Sequence, residues 1–141
     1  MNTIAVRAGS APELETFLAE RLYEYNAAVT GYHDAELFTA AYKGESGAVE
    51  AGICGYTWGG CCYVSYLWVS ERSRGNGLGS ELLRAVERHA RDKRCRVVLL
   101  SSHTFQAPEF YVRRGYKQVA RVDDHPIGHA NIFYSKCLEQ Q

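Results

Sequence analysis

Three runs rich in aromatic and β-branched residues, 38–43, 49–58 and 61–69, come one after another almost without a break. Only Gly44-Glu45-Ser46-Gly47 and Gly59-Gly60 separate them. A Gly-Gly pair between such runs is a two-residue hairpin signal, so the stretch reads as an antiparallel meander. The next segment must cover that sheet. Leu78, Leu82, Leu83, Val86 and Ala90 form one apolar stripe on a helix from about 78 to 92, with Glu81, Arg84, Glu87, Arg88 and Arg91 on its wet side. Val97-Val98-Leu99-Leu100 is a continuous apolar run of the kind found in a strand buried on both faces. A short helix at 107–114 ends at Gly115, and strands are expected near 116–122 and 129–137.

Ahead of the meander, Ile4 to Arg7 is a short strand candidate. Ser10 is placed to cap a helix, with Pro12 and Glu13 in its first turn. Leu14, Phe17, Leu18, Leu22 and Tyr25 keep the spacing of one buried face, and Gly31 closes the region. Residues 32–36 read as a loop or a helical turn. The order is β-α-βββ-α-β-α-ββ, an α+β chain, and its 141 residues suit a single domain spanning 1–141.

Sixteen basic residues cancel sixteen acidic ones, which argues against a nucleic-acid-wrapping protein. No apolar run approaches the length that spans a membrane, and the first residues do not resemble a signal peptide. The five cysteines, Cys54, Cys61, Cys62, Cys95 and Cys137, lack CxxC or Cys/His ligand spacing. They are read as small hydrophobes in a reducing, cytoplasmic setting, with no metal.

The chemical signal lies between a strand and a helix, at Arg72-Ser73-Arg74-Gly75-Asn76-Gly77-Leu78-Gly79-Ser80. Consecutive N–H groups without bulky side chains can close around an anion there, and the helix start adds its positive end. A Walker loop would need Gly-Lys-Ser/Thr, which is absent. A dinucleotide fingerprint would need a glycine where Ser80 stands and an acid near Val98-Leu99-Leu100-Ser101. Both nucleotide readings fail.

The pattern Arg-x-x-Gly-x-Gly, carried by Arg74, Gly77 and Gly79 after Leu67-Trp68-Val69, resembles motif A of the GNAT N-acetyltransferase superfamily. Thr104-Phe105-Gln106-Ala107-Pro108-Glu109-Phe110-Tyr111 and Gly115-Tyr116 resemble that family's motif B. The FQAP start and the loop Pro126-Ile127-Gly128-His129 are similar to one bacterial subgroup. The resemblance implies a mixed, mostly antiparallel twisted sheet of about six or seven strands flanked by helices. It also implies acetyl-CoA as co-substrate. Leu67, Trp68 and Val69 would pair with the pantetheine arm, and Arg74, Gly75, Asn76, Gly77, Leu78, Gly79 and Ser80 would hold the pyrophosphate. Thr104, which stands where relatives carry asparagine, Gln106 and Phe110 would complete the cofactor site, and Tyr111 would protonate the departing thiolate.

Acetyl transfer to an amine needs a neutral nucleophile. A lysine-like amine is only about one part in two thousand neutral at pH 7, a cost of roughly 4.6 kcal/mol. The strand before the loop offers Tyr63, Ser65 and Tyr66 but no carboxylate, so the base stays unassigned. Glu71 reads as a loop charge, and His103 as a cleft or loop residue rather than a base. Val69 N–H is a candidate oxyanion donor by resemblance. Arg113 and Arg114 read as helix charges, with contact to a nucleotide phosphate as the alternative. Tyr32, Asp34, Ser65, Asp124 and His125 are the candidate acceptor residues. The expected activity is acetylation of a primary amine on a small molecule through a ternary complex. The alternatives are a protein or peptide acetyltransferase and a non-catalytic CoA-binding module. Many such relatives pair, so a homodimer is an expectation.

Overall fold

Gly59 and Gly60 both take positive φ, 56° and 84°, and turn strand β2 (Val49–Trp58) tightly back on β3 (Cys61–Val69). In this computed structural model, which describes residues 3–139, Trp58 therefore faces Cys61, as a two-residue turn requires. Strand β1 (Glu36–Lys43) lies antiparallel on the other edge of β2, completing the meander. The ladder slips between Cys54 and Gly55: Gly55 faces Val64 but Cys54 faces Tyr66, so Ser65 is one residue too many. Such a bulge bends and twists its strand.

Helix α2 (Leu78–Asp92) comes next, and β4 (Val97–His103) then runs parallel to β3. Their pairing covers only Cys61–Tyr63 against Val97–Leu99. Beyond it β3 stays on β2 as far as Val69, while β4 stays on β6 (Ala130–Cys137) as far as His103. The two central strands part, and a wedge opens between them. Helix α3 (Pro108–Val112) and β5 (Lys117–Asp123) complete a six-stranded sheet of order β1-β2-β3-β4-β6-β5.

The core lies on one face of that sheet. Ala51, Ile53, Cys62, Val64, Val98, Leu100, Ile132 and Tyr134 alternate inward and meet Leu82, Leu83, Val86 and Ala90 of α2. Tyr111 and Tyr116 extend the same cluster toward α3. Glu87 departs from the expected wet side of α2: it is buried. The Tyr116 hydroxyl donates to its Oε2 at 2.9 Å and the Lys136 ammonium to its Oε1 at 3.0 Å, so the charge is compensated. Burial, and then Glu87 itself, push the Tyr116 phenol well above its ordinary range. Cys62 and Cys95 are core hydrophobes as expected, whereas Cys137 is exposed.

The chain forms two compact units, Met1–His33 and Asp34–Gln141. The first holds helix α1 (Pro12–Thr30), closed by Gly31 in the left-handed conformation. Its N-cap is Ala11 rather than Ser10, and the Glu15 carboxylate accepts the Ala11 N–H at 2.9 Å. Residues 4–7 form no strand: Ile4 and Val6 are fully exposed and have no ladder partner, and a strand without one is only extended chain. Leu14, Phe17, Leu18, Leu22 and Tyr25 keep their stripe but are each exposed by half or more, contrary to the expected buried face. A lone helix has no second layer within its own unit.

Truncation of Leu83, which is 1% exposed, should lower stability by about 2–5 kcal/mol in urea unfolding. Val119→Ala on the edge strand, where the side chain is 57% exposed, should cost less than about 0.5 kcal/mol.

Candidate functional site

A cleft of about 720 Å³ occupies the wedge. One wall is the end of β3, Leu67–Trp68–Val69; another is the turn from Ser73 into the first turn of α2; the third is Phe105, Gln106, Ala107, Phe110, Tyr111 and Arg114. Among the described residues lining it, Arg74, Arg114 and Tyr111 are the ionisable ones, and no carboxylate is present.

The open edge of β3 faces this space. Arg74 Nε donates to the Val69 carbonyl at 3.2 Å, which shows that this carbonyl points away from β2. In a strand the N–H and C=O of one residue point the same way, so the Val69 N–H faces the wedge too. The adjoining Ser70 N–H donates to the Glu50 carbonyl on β2 at 2.7 Å, as the alternation requires.

Helix α2 begins at Gly77, whose φ of 79° is left-handed, and no side chain caps it. Its first N–H groups have no intrahelical partner and open on the cleft. Gly79 is needed for a different reason: a Cβ there would lie 3.3 Å from Phe110 Cζ. Phe110 in turn carries the Arg114 guanidinium, 3.7 Å above its ring centre. Arg114 also donates from Nη1 to the Phe110 carbonyl at 2.8 Å and from Nε to Ser80 Oγ at 2.9 Å. These contacts fix a positive charge beside the helix start, where a free arginine would wander.

Glu50 holds the turn from below. Its carboxylate accepts Arg72 Nη2 at 2.8 Å and Ser73 Oγ at 2.8 Å. The Ser73 and Arg72 hydrogen bonds keep its carboxyl below the usual carboxylate range. Tyr111 is 8% exposed, and burial pushes its phenol up to about 12.

Of the expected cofactor residues, Leu67, Trp68, Val69, Arg74, Gly75, Gly77, Leu78, Gly79, Ser80, Gln106 and Phe110 line the cleft together, with Tyr111. Asn76 is exposed outside the lining. Thr104 is turned to β6 instead: its Oγ1 accepts the Ala130 N–H at 3.2 Å, and its own N–H donates to the Ala130 carbonyl. Among the acceptor candidates of the second unit, Asp34, Ser65, Asp124 and His125, none is in the lining of this cleft. Asp34 accepts the Gly59 N–H at 3.0 Å, at the turn end of β3 away from the wedge. Ser65 is the exposed bulge residue, and Asp124 accepts the Gly128 N–H at 3.3 Å within its own loop. Tyr32 lies in the N-terminal unit, where its N–H donates to Thr30 Oγ1. His125 stands edge-on to His103, ring centres 5.3 Å apart. Glu50, Ser73 and Phe105 belong to the site and were not singled out; Arg114 was read first as an exposed charge. Its spacing of four from Phe110 on one helix was the available signal.

A sequence model of the acetyltransferase (GNAT) family matches residues 4–116. The chain belongs to this family. It is 34% identical over 124 residues to a blasticidin-S acetyltransferase from Streptomyces morookaense, covering 84% of this chain and 91% of that protein. An acetyltransferase from Bacillus cereus ATCC 14579, known from its crystal structure, is 34% identical and superimposes with a TM-score of 0.80. That match covers 96% of this chain and 98% of the other. A proposed acetyltransferase from Agrobacterium tumefaciens, 26% identical, gives a TM-score of 0.88 over 98% of this chain and all of its own. The protein is an acyltransferase with the GNAT fold, and its cleft is where that family's Arg-x-x-Gly-x-Gly turn meets the parted strands. No helix among the described residues is long and apolar enough to cross a membrane.

Glu50→Gln tests the support beneath the GNAT loop. A carboxyl lowered in the folded state stabilises above its unfolded value and loses that effect as pH falls through the lowered one. The clamp is therefore intact at neutral pH and released only in acid. At pH 6 the substitution should speed hydrogen exchange of the amides at 70–75 while leaving those of β4 unchanged, as read by mass spectrometry.

Proposed function

We propose that this GNAT acyltransferase moves the acetyl group of acetyl-CoA to a primary amine of a small molecule, by direct attack within a ternary complex. One observation carries the reading. The uncapped start of α2 and Arg114 share a cleft with the edge of β3 that β4 leaves uncovered, Arg74 is seated on that edge's Val69 carbonyl, and the described lining holds no carboxylate. Such a wall suits a diphosphate at one end and an extended amide-bearing arm at the other.

Acetyl-CoA supplies an activated thioester; the chain's residues do the rest. The backbone N–H groups from Gly75 to Ser80 and the helix dipole receive the pyrophosphate, with Arg74 and the braced Arg114 adding charge. The β3 edge at Leu67–Val69 offers main-chain partners to the pantetheine amides, as an added strand would use. Val69 N–H stands ready to stabilise the oxygen charge that develops at the carbonyl.

Tyr111 acts on the leaving sulfur, and its raised pKa of about 12 narrows how. A phenol raised by burial hands its proton outright less readily than a free one. A relay avoids this: the hydroxyl gives its proton to sulfur as it takes one released by the attacking nitrogen. The phenol never has to stand as a buried anion.

A small-molecule acceptor is supported by the family relative named for blasticidin S, which aligns along most of both chains.

Gly77→Glu should abolish acetyl-CoA binding in calorimetry, because a side chain is strained at that φ and its charge repels phosphate. Unchanged affinity would remove the cofactor from this turn. Tyr111→Phe should lower kcat about 10²-fold with little change in acetyl-CoA affinity. A variant with full turnover would leave Tyr111 a packing role and favour a non-catalytic hydroxyl. Arg114→Ala should weaken acetyl-CoA binding by about 1.5–3 kcal/mol, measured in the same titration.

A further inference from the structure

Neutralising the amine requires a proton acceptor, and the cleft wall has none. Arg74 and Arg114 stay charged, and Tyr111 stays protonated. Side chains able to accept a proton stand at the rim. There, beside Phe105 of the lining, three imidazoles gather: His103 stacks on the Phe105 ring at 5.2 Å, His129 meets Phe105 edge-on at 4.9 Å, and His125 meets His103 edge-on at 5.3 Å.

One of the three has its hydrogen-bonding nitrogen set by geometry. Gln106 Oε1 accepts the backbone N–H of His103 at 2.7 Å, and only the oxygen of the amide can do so. The same oxygen lies 3.0 Å from His103 Nδ1. An oxygen acceptor on that side requires the hydrogen on Nδ1, so the neutral form of the ring carries its lone pair on Nε2. The ring is half-buried, stacked on Phe105 and perpendicular to His125, at the last residue of β4 where the strands have parted. His125 and His129 show no comparable hydrogen bond that would select a tautomer.

Resting on the acetyl-transfer reading above, we propose that His103 is the general base, its Nε2 taking the proton from the acceptor ammonium. One N–H bond of the ammonium breaks and an Nε2–H bond forms, giving an imidazolium still tied through Nδ1–H to Gln106. The freed lone pair forms the C–N bond as the C–S bond breaks, and the second proton of the nitrogen reaches sulfur through the Tyr111 hydroxyl. His103 then returns its proton to water. Gln106 is a positioning residue: it holds the tautomer, and its amide also lines the cleft. The titratable groups facing His103 are His125, then His129 across Phe105. Asp124 lies in the same loop with its Oδ1 on the Gly128 N–H, and Asp123 pairs with Arg121 at 2.9 Å.

The test compares wild type, His103→Gln, His103→Ala and Gln106→Glu. Acetyl-CoA affinity is measured by calorimetry, and thiol release with blasticidin S, spermidine, glucosamine and lysine is tracked from pH 5 to 9. The two His103 variants should bind acetyl-CoA within about two-fold of wild type but turn over about 10²-fold more slowly at neutral pH. They should also lose the acidic limb of the kcat/KM profile. Added imidazole should restore part of the rate to His103→Ala and none to His103→Gln, whose side chain fills the space. A carboxylate at 106 favours the imidazolium, so Gln106→Glu should move the acidic limb to higher pH. Turnover of both His103 variants near wild type, with the limb kept, overturns His103 as base while leaving acetyl transfer standing. A wild type that binds no acetyl-CoA, or binds it and acetylates none of these amines, overturns the acetyl-transfer reading or its acceptor class and this assignment with it.

Discussion

The parting of β3 from β4 is the constraint on which the site depends. Two adjacent parallel strands normally pair along their whole length, since an unpaired backbone group in the interior is expensive. Here pairing stops after Tyr63 and Leu99, and beyond that point β3 follows its hairpin with β2 while β4 keeps its seven registered residues with β6. Ser65, the extra residue in β3, bends the strand just where pairing ends. The backbone edge that results is polar and has no neighbouring strand. A ligand able to act as a further strand completes it.

The loop at the mouth of the wedge is rigid through charge and packing applied from outside. Glu50 ties down Arg72 and Ser73, Arg74 closes on the Val69 carbonyl, and Phe110 fits against Gly79 with Arg114 above it. An apo cleft held this way already presents its N–H groups in position. Less conformational entropy then remains to be lost on binding.

Burial divides the chemistry between the two sides of the cleft. Tyr111 sits inside the core cluster, where a tyrosinate is disfavoured. The imidazoles stand at the rim, His125 and His129 exposed to solvent and His103 half-buried. The lining between them carries positive charge alone among its described ionisable groups apart from Tyr111, which favours a polyanionic cofactor over a cationic acceptor on that side.

Much of this was legible in the order of residues because it rests on local physics. The hairpin turn at Gly59-Gly60, the stripe of α2, the apolar run of β4 and the Arg-x-x-Gly-x-Gly turn all come from period, φ and sterics within a few positions. Even Glu50 was within reach. A two-residue turn, counted straight back along both strands, sets it opposite Val69, and the bulge shifts that by one. What sequence could not supply were facts about groups far apart in the chain. Glu87 looks like a surface charge on its own helix and is buried because Tyr116 and Lys136 arrive from other elements. Asp34 looks like an acceptor ligand and accepts the Gly59 N–H, and the Thr104 hydroxyl accepts the Ala130 N–H. The segment at 4–7 has strand composition but no partner edge. Hydrogen bonds are saturable, so a polar side chain's role is decided by whichever partner reaches it first in space. The chain alone determined its elements and its phosphate-type turn; tertiary packing decided which polar groups were left free to act.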